Sequence, residues 1–314
     1  MARYAAFFLV GPTAVGKTAV AHHLALQRGA DILSADSMLV YQGLDVGTAK
    51  PTPQQRAEVR YRAIDVVEPG DRFSVGAYRA LAEEAIREAS DAGRVLFVVG
   101  GTGLYIKALT DGLAILPDHD PESRRRWERV WREEGTGRLT DVLRERSPEL
   151  YATLADPHNP RRLIRALELT DAGLTARAAT WKREPSAPIV GLRSPPDLLR
   201  RRIEERVAAM YRGGLLAEAE RLLSAGIERG GTALQAIGYA EAIACVRGQC
   251  SQGVAVEKTA ARTRQLARRQ MTWFRHQAHV AWLDIEAGMD AAAIAGRVAD
   301  EWSRIGPTPI AGMD

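Results

Sequence analysis

The stretch Phe7–Ala21, FFLVGPTAVGKTAVA, decides the fold. Inside it, Gly11-x-x-x-x-Gly16-Lys17-Thr18 has P-loop spacing, with an apolar run before it and a helix-compatible run after it, the context in which the motif is credible. The glycines let the chain curl so that the amides from Gly11 through Thr13, Ala14, Val15 and Gly16 to Lys17 and Thr18 converge on an anion. The following helix adds its positive end and Lys17 a mobile ammonium. The Thr18 hydroxyl can reach a Mg²⁺. This constellation binds a diphosphate or triphosphate, and by itself leaves open which molecule carries the phosphates.

Working outward, apolar strand candidates alternate with helical stretches: Ala5–Val10, Asp31–Ala35, Ala63–Val67, Val95–Val99 and Ile189–Leu192. Helices are expected over Thr18–Arg28, stopped by Gly29, and over Val75–Asp91, capped by Ser74 and stopped by Gly93. The fold class is therefore α/β: a P-loop NTPase-like parallel sheet flanked by helices. Ligands of such sheets gather at the carboxyl ends of the strands, where the P-loop, Asp36 of SADSML and Thr102 of GGTGLY should meet. A kinase or ATPase of this class carries a Mg²⁺-positioning acid at the end of an apolar strand, whereas VLFVV runs into Gly100 and Gly101.

Between Pro117 and about Pro188 the pattern turns charged and helical, with Trp127, Trp131 and Trp181 and no convincing strand. Residues 118–188 read as an all-helical insertion domain in a core formed by 1–117 and 189–314. Trp127 and Trp131, four apart on one helix, suit a packed seam better than base-stacking platforms. The tail GPTPIAGMD from Gly306 reads as frayed.

With 314 residues and 46% hydrophobic content, the chain can build a substantial core. No apolar run approaches membrane length, and the first merges into the P-loop, so neither a span nor a signal peptide is expected. Cys245 and Cys250 lack partners for a zinc site and suit a reduced, cytoplasmic protein. Net charge is only +4, but Lys258, Arg262, Arg264, Arg268, Arg269 and Arg275 form a basic run without an acid, joined by His276 and His279. On a helix these make a broad strip, open to two readings: a nucleic-acid or polyanion contact, or a solvated face. No heptad or large apolar face argues for an oligomer, so a monomer is expected.

Five runs, GPTAVGKT, SADSMLVYQGLDVGTAKP, VVGGTGLYIKAL, DPHNPRRLIRALE and RQLARRQMTWFR, together resemble the tRNA dimethylallyltransferase family, the bacterial tRNA isopentenyltransferases, in order from Gly11 to Arg275. The resemblance implies that the P-loop holds the diphosphate of dimethylallyl diphosphate rather than ATP. The exocyclic N6 amine of a flipped-out adenosine beside the tRNA anticodon displaces that diphosphate. Asp36 is then implied as the base that takes the N6 proton, and Thr102 as a donor near the leaving oxygen. Lys17, the loop amides, Arg206 and a Mg²⁺ held partly by Thr18 stabilise the departing charge. Contacts to the anticodon stem-loop are implied for Asp36, Ser37, Met38, Leu39, Thr102, Arg124, Arg161, Arg162, Arg165, Gln235, Gly238, Tyr239, Arg268, Arg269 and Arg275. Ala240 stands where the family often carries a basic or polar side chain. Competing readings are prenylation of free adenine nucleotides, a plain nucleotide kinase, and an RNA-binding module with a relic P-loop. The helical insertion and the basic strip, the glycines after VLFVV, and the intact Lys17, Thr18 and Asp36 argue against these in turn.

Overall fold

The computed structural model describes residues 4–112, 120–154, 156–174, 188–226 and 235–313. These fall into two compact units, Met1–Asp111 with Glu184–Asp314, and Gly112–Arg183. Trp181 and the expected boundary at 117–118 lie outside the described residues.

The first unit is built on β1 (Ala5–Val10), β2 (Asp31–Ala35), β3 (Tyr61–Arg62), β4 (Leu96–Gly100), β5 (Ile189–Arg193) and β6 (Val280–Asp284), with sheet order β3-β2-β4-β1-β5-β6. All pair in parallel, and β7 (Thr308–Pro309) adds antiparallel to β1. Strands buried on both faces need apolar side chains at every position, which is why FFLV and LFVV read as continuous runs. Alternate residues serve opposite faces. Phe8 and Val10 pack with Tyr78, Ala82 and Ile86 of α3 (Val75–Asp91), whereas Leu9 packs with Leu24 of α1 (Lys17–Arg28) and Val298 and Trp302 of α12 (Ala291–Ile305).

The expected strand Ala63–Val67 is a loop instead. Ala63 and Asp65 sit at φ 60° and 55°, left-handed values that break an extended run, and the segment bonds back to Leu39 and Val40. The short β3 lies just before it. The tail is not frayed: β7 pairs with β1, Ile310 and Met313 are buried, and Arg79 donates to the Ala311 carbonyl.

The second unit packs α5 (Pro121–Arg146), interrupted at Gly135 with φ 80°, against α6 (Pro148–Ala152) and α7 (Pro160–Asp171). Leu139, Leu143, Leu163 and Leu167 form its core. Trp127 belongs to that core and donates to Asp171 at 2.7 Å, but Trp131 is 40% exposed, so only half of the expected tryptophan seam forms.

Candidate functional site

The P-loop takes its shape from positions where a side chain would collide or strain. Gly11 has φ 140°, and a Cβ there would lie 2.3 Å from the Leu192 carbonyl oxygen, so only glycine passes β5 at this point. Gly16, at φ 106°, is the N-cap of α1 and offers no side chain to the first-turn amides, leaving them and the positive helix end directed at an adjoining cavity of about 530 Å³. Lys17 Nζ lies 3.0 Å from the Gly11 carbonyl and 2.8 Å from that of Pro12. Burial pushes its pKa down to about 8; nearby Asp36 opposes the shift and Arg206 adds to it. An anion entering here meets a desolvated ammonium. Thr18 is exposed and lines the same cavity.

The tips of β2 and β4 meet beside the loop. Asp36 Oδ1 accepts the Met38 amide at 2.9 Å, and the carboxylate lines the cavity. The Thr102 amide donates to Ala35 at 3.0 Å, and Thr102 Oγ1 accepts the Ser37 amide at 3.0 Å. That bond uses an acceptor position of the hydroxyl and leaves its proton free to donate. Thr102 stands next to the cavity rather than among the residues that line it.

Helix α8 (Pro196–Arg212) settles which arginine of its basic run faces inward. Arg206 Nη2 donates to the Thr48 carbonyl at 3.0 Å; its burial lowers the guanidinium pKa while Asp36 raises it. One turn earlier Arg202 donates to the Val15 carbonyl at 3.1 Å, and both arginines line the cavity. Arg201 is exposed, and Arg200 pairs outward with Asp197. Nothing in the sequence alone singles out Arg202 as functional, although its i, i+4 spacing to Arg206 puts both on one helix face.

Nor does the sequence single out Gln270 on α11 (Gln252–Gln277). Its Oε1 accepts the Thr13 amide at 2.8 Å and its Nε2 donates to Gly101 at 3.1 Å, so one side chain joins the P-loop to the tip of β4. Gly103 is fixed by the same helix: a Cβ there would lie 2.2 Å from the Trp273 ring.

The residues expected to touch RNA are placed unevenly. On the first unit, Ser37, Met38 and Leu39 are half-buried and Gln235 is exposed. Gly238 and Tyr239 are not surface groups. Gly238 is buried at φ 106°, and Tyr239 is 0% exposed with its hydroxyl on Glu218, because both pack where α10 (Tyr239–Val246) meets α9 (Leu215–Ser224). The basic strip is narrower than the sequence suggests, since Arg262 pairs with Glu241 and Arg264 with Glu204. Arg268, Arg269 and Arg275 are exposed, with no ion pair among the described residues.

On the second unit, Arg161 and Arg162 are exposed. Arg124 pairs with Glu128 and Glu168, and Arg165 also pairs with Glu168, whose side chain is 1% exposed. Breaking a buried pair by removing one partner costs about 3–5 kcal/mol, so Arg124 first ties α5 to α7, while Arg165 pairs within α7 itself.

Among the described residues no three His, Cys, Asp or Glu side chains cluster as a metal site. No helix among them is long and apolar enough to cross a membrane.

The IPP transferase family profile matches residues 39–277 and the isopentenyl transferase profile residues 4–66. A tRNA dimethylallyltransferase of Anaeromyxobacter sp. (strain Fw109-5) is 41% identical over 298 residues, covering 92% of this chain and 97% of that protein. The crystal structure of the full-length tRNA isopentenylpyrophosphate transferase from Bacillus halodurans superposes with a TM-score of 0.68 at 34% identity, covering 96% of this chain and 97% of that one. A eukaryotic dimethylallyltransferase, captured acting on tRNA, shares the fold with a TM-score of 0.73 at 21% identity, over 96% of this chain and 76% of its own. With that profile spanning residues 39–277 and 41% identity over 92% of its length, the chain belongs to the IPP transferase family.

Proposed function

We infer that the chain transfers a dimethylallyl group from dimethylallyl diphosphate to N6 of the adenosine 3′-adjacent to the anticodon in tRNA, releasing diphosphate. The observation that carries this reading is the makeup of the cavity. A P-loop cation and two inward arginines share the cavity with the half-buried carboxylate of Asp36 at the tip of β2 and the exposed Glu205 of α8, while the strand end that would carry a kinase acid is glycine.

The α1 amides and Lys17 hold the diphosphate, and Arg206 and Arg202 flank it. As the allylic carbon–oxygen bond breaks, negative charge grows on the leaving group, and cations already fixed in place stabilise it without reorganising. The adenine N6 lone pair is delocalised into the ring, so attack needs a base. Asp36 accepts the N6 proton as the new carbon–nitrogen bond forms, and the Thr102 proton is donated toward the leaving oxygen. Thr18 and the cavity suit Mg²⁺, which takes few protein ligands and otherwise uses substrate phosphates and water. Thr18 would hold it, and its charge would add to the neutralisation of the diphosphate.

Extruding the base costs a few kcal/mol, which contacts to the anticodon stem-loop must return. Arg268, Arg269, Arg275, Gln235 and Ser37–Leu39 of the first unit and Arg161 and Arg162 of the second are the exposed or half-buried groups suited to this. The same reading puts the protein in the cytoplasm, with a monomer as the expected state.

The test mixes the protein with Mg²⁺, labelled dimethylallyl diphosphate, and either unmodified tRNA with adenosine 3′ of its anticodon or AMP. Label in the tRNA alone is the expected result. Label in AMP replaces the acceptor with a free nucleotide, and label in neither overturns the reading.

A further inference from the structure

Glu218 lies on α9, outside the cavity, only 1% exposed and with no ion-pair partner among the described residues. A buried carboxylate without a cation must be satisfied by hydrogen bonds, and Glu218 collects four donors. Its oxygens accept the successive amides of Asp45 (3.1 Å), Val46 (3.0 Å) and Gly47 (3.2 Å) and the Tyr239 hydroxyl (2.5 Å). Three consecutive amides converge on one anion only if the backbone curls around it, so this carboxylate shapes the loop. The fit leaves no slack: a Cβ on Gly47 would come within 2.6 Å of the Tyr239 ring.

The next residue brings this arrangement to the cavity. The Thr48 carbonyl receives Arg206 Nη2, Thr48 and Ala49 line the cavity, and the Arg206 charge is felt by Lys17 across it. We propose that Glu218, assisted by Tyr239, is a positioning residue that sets where the Arg206 guanidinium stands, acting through the 45–48 loop. The proposal rests on the reading above that Arg206 holds the donor's diphosphate.

Glu218→Gln keeps the volume but turns an NH₂ group toward amides that need an acceptor. Calorimetry with inorganic diphosphate and Mg²⁺ reads the consequence without requiring turnover. The expected result is affinity weakened roughly tenfold by Glu218→Gln and roughly threefold by Tyr239→Phe, with tRNA affinity within twofold of the wild type. Repeated in an Arg206→Ala background, both effects should vanish, because the group they act through is gone. Effects that add to that of Arg206→Ala, or unchanged diphosphate affinity in folded variants, overturn the proposal. Should Glu218→Gln not fold, the Tyr239→Phe and Arg206→Ala cycle decides alone. A wild type that binds diphosphate but labels no tRNA would sink the function and leave this coupling measurable.

Discussion

Two sets of cations in the first unit differ in how they are held. Lys17, Arg202 and Arg206 end on backbone carbonyls of Gly11, Pro12, Val15 and Thr48, fixed around a cavity. Arg268, Arg269 and Arg275 stand in solvent on α11. Fixed, desolvated charges suit a small anion whose charge changes during a reaction, and water or salt cannot easily screen them. Solvated charges suit a long polyanion, where affinity comes from released counterions and fades within a Debye length, about 8 Å at physiological ionic strength. One fold keeps both kinds, joined on α11 by Gln270, which contacts the loop of the first set from the helix of the second.

The largest effect should come from neither set but from the carboxylate the fixed set surrounds. Asp36→Ala should lower single-turnover transfer by roughly 10³-fold while tRNA affinity stays within a few fold; near-normal turnover would remove it as the base. Next, Lys17→Ala should lower kcat by roughly 10²-fold, with tRNA affinity and its salt dependence unchanged. A flattened salt slope in that variant would erase the distinction between the two sets. Replacing Arg268 and Arg269 by Ala should weaken tRNA binding roughly tenfold or more, and reduce the slope of log affinity against log salt by about 1–2, leaving diphosphate affinity alone.

The smallest effect is on pH. Because Lys17 is lowered to about 8, it loses its proton as pH rises through that value, so diphosphate affinity should fall several-fold between about pH 7 and 9, a dependence absent from Lys17→Met. The linkage to folding has the opposite sense. Between about 8 and the ordinary 10.5 the unfolded chain holds the proton and the folded one does not, so this group's contribution to stability rises with pH across that window.

What was legible in the sequence were residues whose type the chemistry dictates. Gly11, Gly16, Lys17 and Thr18 must occur at fixed spacing, and the β1 and β4 runs must be apolar throughout. β6 was hidden because VAWLD is short and follows a basic helix, so its strand character shows only beside β5. The strand expected at Ala63–Val67 failed because apolar content does not reveal two left-handed residues. Gln270 and Glu218 escaped for another reason. Their importance lies in partners 257 and 172 residues away in sequence, and no local pattern marks a glutamine or a glutamate as the anchor of a distant loop.

The pairing of β1 bears on the order in which the molecule is assembled. Phe7 is in register with Phe97, Leu9 with Val190 and Ala6 with Thr308, so the strand that launches the P-loop waits for chain made roughly 90, 180 and 300 residues later. Such long closures must pay their loop entropy before contacts return it, which makes β1 a late and slow event in folding. During synthesis, then, the strand that leads into the P-loop is made well before the strands that complete its pairing.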